Sequence, residues 1–443
     1  MFLASLYSLH CSLCGFLKVV AGPGAGKSRV LSSRLAHLLI SKRCEPHQIL
    51  VLSFNHYAAK SLRVKAEKML ANTMNSLNTV KATVSSSEVY CDSFHGFCSV
   101  VLKNHGHLLN LGNDLNIADE YEQLKIMTSL LRSRGYKSSN AAMATNLLRR
   151  IRFWKESGLG YLGIQREILE SWTEKRAYEI YPAYQNELRS RSALDFGDLL
   201  LFTLRLFREN PQTLEIYRDK YSHILVDEFQ DISPAQYDIL RILVVGFLDN
   251  TTPFSSSHGR TYVRSETQFN ALNGEQLRRS EEYVRKAFSS GSIYNAASFR
   301  GNQMNYFRFE NPVALNVADV TYSSIDRQFH RIVNVFCAGD DDQSIYGFRG
   351  SHIELMRRFR FDFPDAKVLK FDTSYRMPGS LCQMTKSVVD PLPDRISKTL
   401  NYDIKTIETG PSLEIKKMSD ERCELEWISS YVQNETKGTN FIF

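Results

Sequence analysis

The sequence predicts an α/β fold, a parallel sheet covered on both faces by helices, and three observations carry that prediction. Phe16 to Ala21 is a short apolar run that passes through the glycine-rich Gly22 to Gly26 into a helical pattern over Lys27 to Ile40. Ile49 to Phe54 repeats the arrangement, with a second helical pattern from about Ala58 to Leu70. Further apolar runs at Ile224 to Val226 and Val333 to Ala338 return after long intervening stretches. The alternation of strand and helix in the first two units argues for parallel pairing.

Taken in order, the first helix places Val30, Leu31, Leu35 and Leu38 on one face, the spacing of a helix laid on a core. Residues 1–100 therefore read as the first part of a sheet domain. From about 101 to 191 the pattern turns helical and basic, with Arg132, Arg134, Lys137, Arg149, Arg150, Arg152 and Lys155 close together. This stretch reads as a helical subdomain inserted between strands. Its charges suit a nucleic-acid surface or a solvated helix face equally. Residues 192–245 rejoin the sheet. Residues 246–330 are rich in Ser, Asn, Thr and Arg with weak periodicity, far longer than the usual connection of about 4–6 residues. An atypical segment is expected there: disordered, a lineage-specific insert, or a non-coding stretch translated in error. Residues 331–371 complete the first sheet, with Lys367 to Phe371 as a strand, and 372–443 begin a second one.

At 443 residues the chain has room for two or three domains, and 43% hydrophobic with 23% charged residues is ordinary globular composition. The net charge of +7 suits a polyanionic partner without demanding one. Eight scattered cysteines include a single C-x-x-C, Cys11 and Cys14, with no second pair, so reduced intracellular thiols are expected rather than a zinc site. The apolar first fifteen residues hold no Lys or Arg and run straight into the first strand, so export is not expected. No run of about eighteen apolar residues predicts a membrane span.

The chemistry begins at Ala21-Gly22-Pro23-Gly24-Ala25-Gly26-Lys27-Ser28. Small residues there let backbone N–H groups approach phosphate oxygens, Lys27 is placed to reach the β- and γ-phosphates of ATP, and Ser28 to ligate Mg²⁺. Ala21 stands where the strict pattern has Gly, and a bare glycine turn before a helix would use the same residue types. The strand at Ile224 to Val226 ends in Asp227 and Glu228. After a buried strand, in a chain with a phosphate loop, Asp227 is the candidate Mg²⁺ ligand and Glu228 the base that orients and deprotonates the attacking water. A third run, Gly339-Asp340-Asp341-Asp342-Gln343-Ser344-Ile345-Tyr346-Gly347-Phe348-Arg349-Gly350, joins carboxylates and an amide to aromatics and an arginine. Such a strip can touch ATP at one end and a nucleobase at the other.

Together the three motifs resemble those of the UvrD/Rep/PcrA-like superfamily-one DNA helicases, from about Phe16 to the C-terminus with the 246–330 segment interrupting. The resemblance implies a RecA-like P-loop NTPase sheet, an inserted helical subdomain and the start of a second RecA-like domain. It implies an ATP- and Mg²⁺-dependent helicase moving 3′-to-5′ on single-stranded DNA in repair or recombination. Its partners would be single-stranded DNA, duplex junctions and repair or recombination proteins, with no membrane. By motif, Gln343 matches the γ-phosphate sensor and Phe348 the base-stacking aromatic, with Tyr346 beside it. Phe54 and His95 fall in segments similar to the first and second DNA-contact motifs. His56, Tyr57 and Gly96 depart from the usual residues there. Leu194 to Leu200 matches a family signature of structural role. Tyr375 and Arg376 match the motif that opens the second RecA-like domain, where the tyrosine stacks on adenine and the arginine reaches the γ-phosphate.

Two departures are expected to weaken the motor. Met1 to Gly15 lacks the glutamine-containing adenine segment, and the chain ends before the later motifs of the second domain. Poor turnover and little unwinding are therefore expected of this chain. A non-translocating ATP- and DNA-binding protein is the alternative, and an ATPase acting on protein or a small molecule leaves the DNA-contact motifs unexplained. A nuclear location is expected if the source is eukaryotic, a cytoplasmic one if it is bacterial.

Overall fold

The computed structural model describes residues 15–41, 44–76, 88–112, 115–136, 141–166, 169–246, 333–363, 366–392, 395–402 and 416–435. The C-x-x-C, the apolar leader and all but Gly246 of the 246–330 insert are expectations that lie outside the described residues.

Strand β1 (Phe16–Ala21) leads into helix α1 (Lys27–Ser41), β2 (Ile49–Ser53) into α2 (His56–Ser76), and β3 (Tyr90–Ser93) into α3 (Phe94–His105). Then come β4 (Asn116–Ile117), α4 (Glu120–Ser133), α5 (Ala141–Glu156), α6 (Trp172–Ser190) and β5 (Ala193–Leu194), the two short strands pairing with each other. The chain continues through α7 (Phe196–Glu209), α8 (Pro211–Lys220), β6 (His223–Val226) and α9 (Pro234–Val245). It resumes with β7 (Asn334–Gly339), β8 (Lys367–Phe371), β9 (Thr373–Ser374), α10 (Gly379–Val389), β10 (Asn401–Tyr402) and α11 (Glu421–Glu435).

Six strands form one parallel sheet in the order β3-β2-β6-β7-β1-β8. The central strands are apolar on both faces because both faces are covered, as parallel sheets require. Leu50, Leu52, Ile224, Val226, Val335 and Cys337 point into one core with α3, α7, α8 and α9. Their alternating neighbours Ile49, Val51, Leu225, Phe336 and Ala338 point into the other with α1 and α2. The α/β class read from the strand and helix patterns is the architecture observed. The short β3 was not legible, since Tyr90-Cys91-Asp92-Ser93 carries no apolar run.

A third core gathers residues from Ala118 to Ala193 in α4, α5 and α6 around Trp154, Tyr181 and Tyr184. Val101 and Leu102, on α3, belong instead to the core of the sheet. Lys155, grouped above with a run of basic charges, is not on a surface. Its ammonium is fully buried, 2.7 Å from Asp195 Oδ2 and 2.8 Å from Asp198 Oδ1, with the Tyr184 hydroxyl donating to the same Asp195 oxygen at 3.1 Å. Asp195 caps α7 in a reciprocal box with Asp198. The two carboxylates hold the Lys155 pKa up against its burial. Lys155 thereby pins the end of α5 to the start of α7. Gly197 permits the approach, since a Cβ there would lie 2.6 Å from the Lys155 side chain.

Candidate nucleotide and nucleic-acid site

The register puts the C-terminal ends of β6, β7 and β1 side by side, with Val226 opposite Cys337 and Val20 opposite Gly339. The residues that follow each strand therefore meet at one edge: Gly22 to Ser28 after β1, Asp227 and Glu228 after β6, and Asp340 to Gln343 after β7. This is where open parallel sheets bind ligands. Gly24 and Gly26 take positive φ values, 75° and 96°, a region that favours glycine. Lys27 donates to the Ala21 carbonyl at 3.3 Å and to Gln343 Oε1 at 3.0 Å, with Asp340 Oδ2 at 3.8 Å. Ala25 is buried and Ser28 half-buried at the start of α1.

Asp227 is buried, and its Oδ1 accepts no hydrogen bond. Burial, with Glu228 next to it, pushes its carboxyl up to about 6. Glu228 itself sits in the left-handed region at φ 47°, a strain of about 1–3 kcal/mol for a non-glycine residue. Asp231 is pushed up to about 7 by burial and by Glu228. The unpartnered Oδ1 of buried Asp227 is the feature that a cation would relieve. Asp227 and Ser28 thus fit the Mg²⁺ of a bound nucleotide.

Gln230 is a further organising residue that sequence reasoning passed over. Its Nε2 donates to Glu228 Oε2 at 2.8 Å and to Asp231 Oδ2 at 3.1 Å, while its Oε1 accepts from the Asp340 N–H at 2.9 Å. One side chain ties the end of β6 to the end of β7. Its place two residues after Glu228 was the only available signal. Gln343 in turn donates to Asp340 Oδ2 at 2.7 Å. Tyr375 and Arg376 arrive at the phosphate loop as well: the Tyr375 N–H donates to the Gly24 carbonyl at 3.1 Å, and the Ser374 hydroxyl to the Pro23 carbonyl at 2.9 Å. A Cβ on Gly24 would come within 2.9 Å of Arg376 Cβ.

The aromatic residues gather beside this edge. Phe54 stacks on Tyr346 with centroids 4.7 Å apart, Tyr346 lies 6.0 Å from Phe348, and the Arg349 guanidinium covers both Tyr346 and Phe348. Phe348 is 65% exposed, a ring offered to solvent rather than packed in the core. Tyr346 is half-buried against Phe54, so core packing and display are both part of its position. His95, at the start of α3, sits edge-on to Phe196 and 3.2 Å from Glu156 Oε1. Glu156 was not singled out from the sequence, because its contact comes from another element. Gly96 has a local reason: a Cβ there would lie 2.3 Å from the Asp92 carboxylate, which also holds His56 Nδ1 at 3.0 Å.

The family model for the UvrD/REP helicase N-terminal domain matches residues 7–248 and 319–364. The chain is 26% identical over 419 residues to a DNA helicase II of Rickettsia typhi, covering 94% of this chain and 48% of that relative. It is 23% identical over 430 residues to the ATP-dependent DNA helicase PcrA of Staphylococcus epidermidis, covering 96% and 44%. A probable DNA helicase II homolog of Mycoplasma capricolum is 32% identical over 234 residues, covering 52% and 30%. The chain spans about half the length of the first two relatives.

Proposed function

The chain belongs to the UvrD/REP helicase family, and on that premise we propose that it is an ATP-dependent DNA helicase whose ATPase responds to single-stranded DNA. We read its direction as 3′-to-5′ and its setting as DNA repair or recombination, acting at duplex junctions. The domain plan follows: a RecA-like sheet from residues 1–100, 192–245 and 331–371, a helical insert at 101–191, an atypical insert at 246–330, and the start of a second RecA-like domain from 372. The observation that carries this is the alignment of Lys27, Asp227 and Asp340 at one sheet edge with the exposed Phe348 on the same strip as Gln343.

In this reading Gly22, Gly24, Ala25 and Gly26 present N–H groups to phosphate, and Lys27 exchanges Gln343 for the β- and γ-phosphates. Ser28 and Asp227 would hold Mg²⁺, which when bound neutralises phosphate charge. Glu228, held by Gln230, orients the attacking water and takes its proton. Tyr375 stacks on adenine, and Arg376 reaches toward the γ-phosphate, a role worth about 10³–10⁵ in rate in related chemistry. Gln343 stands between Lys27 and Asp340 at one end of a strip whose other end carries Tyr346 and Phe348. A change at the phosphate is passed along a short, rigid path to the residues that grip a base. Phe54, stacked on Tyr346, and His95 complete the DNA contacts in this reading.

Steady-state ATP hydrolysis with and without single-stranded DNA, beside Lys27→Ala, tests this. Turnover stimulated by DNA and abolished in Lys27→Ala is expected. ATP and DNA binding without DNA-stimulated turnover would instead identify a non-translocating binding protein, and no ATP binding would sink both.

A further inference from the structure

Three consecutive carboxylates, Asp340, Asp341 and Asp342, follow β7, and their oxygens lie close enough together to hold a metal ion. An ammonium already occupies that position. Lys398 Nζ is 2.5 Å from Asp340 Oδ1 and 3.0 Å from Asp342 Oδ2, and it also bonds Asp341. Arg395 grips Asp342 with two nitrogens, at 2.7 and 2.8 Å, and the Ile396 N–H donates to Asp341 at 2.7 Å. Both cations belong to one short segment leading into β10. That segment lies on the phosphate loop, since a Cβ on Gly22 would meet Leu400 at 2.8 Å, and a cavity of about 50 Å³ remains between them.

Asp340 is fully buried and divides its two oxygens between different partners. Oδ1 faces Lys398, while Oδ2 accepts from Gln343 Nε2 at 2.7 Å and faces Lys27 at 3.8 Å. A buried carboxylate without a counterion draws the nearest cation into contact. With Lys398 gone, that cation is Lys27, and the Gln343 side chain between them is displaced.

We propose that Lys398 is a positioning residue of the ATP site: it neutralises Asp340, so that Lys27 stays available to phosphate and Gln343 keeps its place against the γ-phosphate. Arg395 anchors the segment that carries Lys398. This rests on the ATP-site assignment and assigns that site a counterion from the chain beyond β9.

The test measures dissociation constants for ATPγS and ADP, with Mg²⁺, on the whole 443-residue chain. Lys398→Met is expected to weaken ATPγS about tenfold and ADP less, as removal of one member of a coupled buried network does. The double variant Asp340→Asn/Lys398→Met removes the attraction along with the clasp, and is expected to bind ATPγS more tightly than Lys398→Met alone. A loss of packing would not be repaired in this way. Binding by wild type and Lys398→Met equal within about twofold, or a double variant no better than the single one, overturns the proposal and leaves the ATP site standing. Wild type that binds neither nucleotide refutes the ATP site, and the clasp with it. If Lys398→Met does not fold by circular dichroism, Lys398→Arg carries the test: it is expected to keep the wild-type preference for ATPγS over ADP, and losing that preference overturns the proposal.

Discussion

Lys18 is a lysine in the middle of the strand that delivers the phosphate loop, and its replacement should stabilise the protein. It is 3% exposed, donates to the Met356 carbonyl at 2.7 Å and lies 5.7 Å from the Phe359 ring. Burial lowers its pKa from 10.5 to about 8. At about 1.36 kcal/mol per unit, that shift means the buried charge costs about 3 kcal/mol below pH 8. Lys18→Met keeps the chain length and removes the cost, but leaves the Met356 carbonyl without a donor, a penalty of about 1–3 kcal/mol. A net gain of about 1 kcal/mol at pH 7 is expected. The unfolded lysine holds its proton to about 10.5 and the folded one only to about 8. Wild type therefore gains stability as the pH rises between those values, and the variant does not. Its advantage at pH 7 should turn into a deficit above pH 10. Urea unfolding of both proteins, followed by far-ultraviolet circular dichroism at pH 7 and pH 10, reads the difference directly. A variant that is less stable at pH 7, by an amount unchanged at pH 10, would refute the reasoning.

Asp227→Asn removes a buried, under-compensated carboxylate and should stabilise the nucleotide-free chain by about 1–3 kcal/mol while ending the rise in melting temperature caused by Mg²⁺ and ATPγS. A melting-temperature rise as large as that of wild type would count against Asp227 as the metal ligand. Phe348→Ala should cost single-stranded DNA binding about 1–3 kcal/mol, by the same amount for oligo-dT as for mixed sequence, since stacking reads no bases. Fluorescence anisotropy on the two oligonucleotides measures this, and a loss confined to one of them would point to a base-specific contact instead.

The parts of the sheet legible from sequence are those whose signal is local. Phe16 to Ala21 and Lys367 to Phe371 are strands with the bounds read from the sequence, and Asp227 follows β6 as the apolar run before it implies. The glycine-rich turn between β1 and α1 was legible because Gly24 and Gly26 mark the positive φ values it takes. What escaped notice depends on partners far along the chain. Lys155 looked like one charge in a basic run, and only Asp195 and Asp198, 40 and 43 residues on, make it a core residue. Glu156 meets His95 from 61 residues away. Arg395 and Lys398 meet Asp340 to Asp342 across more than 50 residues, and neither belongs to a motif that announces a counterion. Charge pairs of this kind leave no periodicity, so they emerge only when the sheet brings its edges together.

The strand order also says when β1 and the loop after it can join the sheet. Strand β1 has two neighbours, β7 and β8, and both are made from residues synthesised roughly 300 positions later. At about 5–20 residues per second, the apolar Leu17 to Ala21 leaves the ribosome about 15–60 s before its first partner strand exists. During that interval β2 has β3 to pair with, while β1 is an unpaired hydrophobic segment of the kind chaperones hold. A nascent chain that stalls ahead of Asn334 can pair β3, β2 and β6, but carries the loop after β1 with no neighbouring strand to hold it. Strand β1 thus gains its first neighbour only once Asn334–Gly339 has been made, and its second only with Lys367–Phe371.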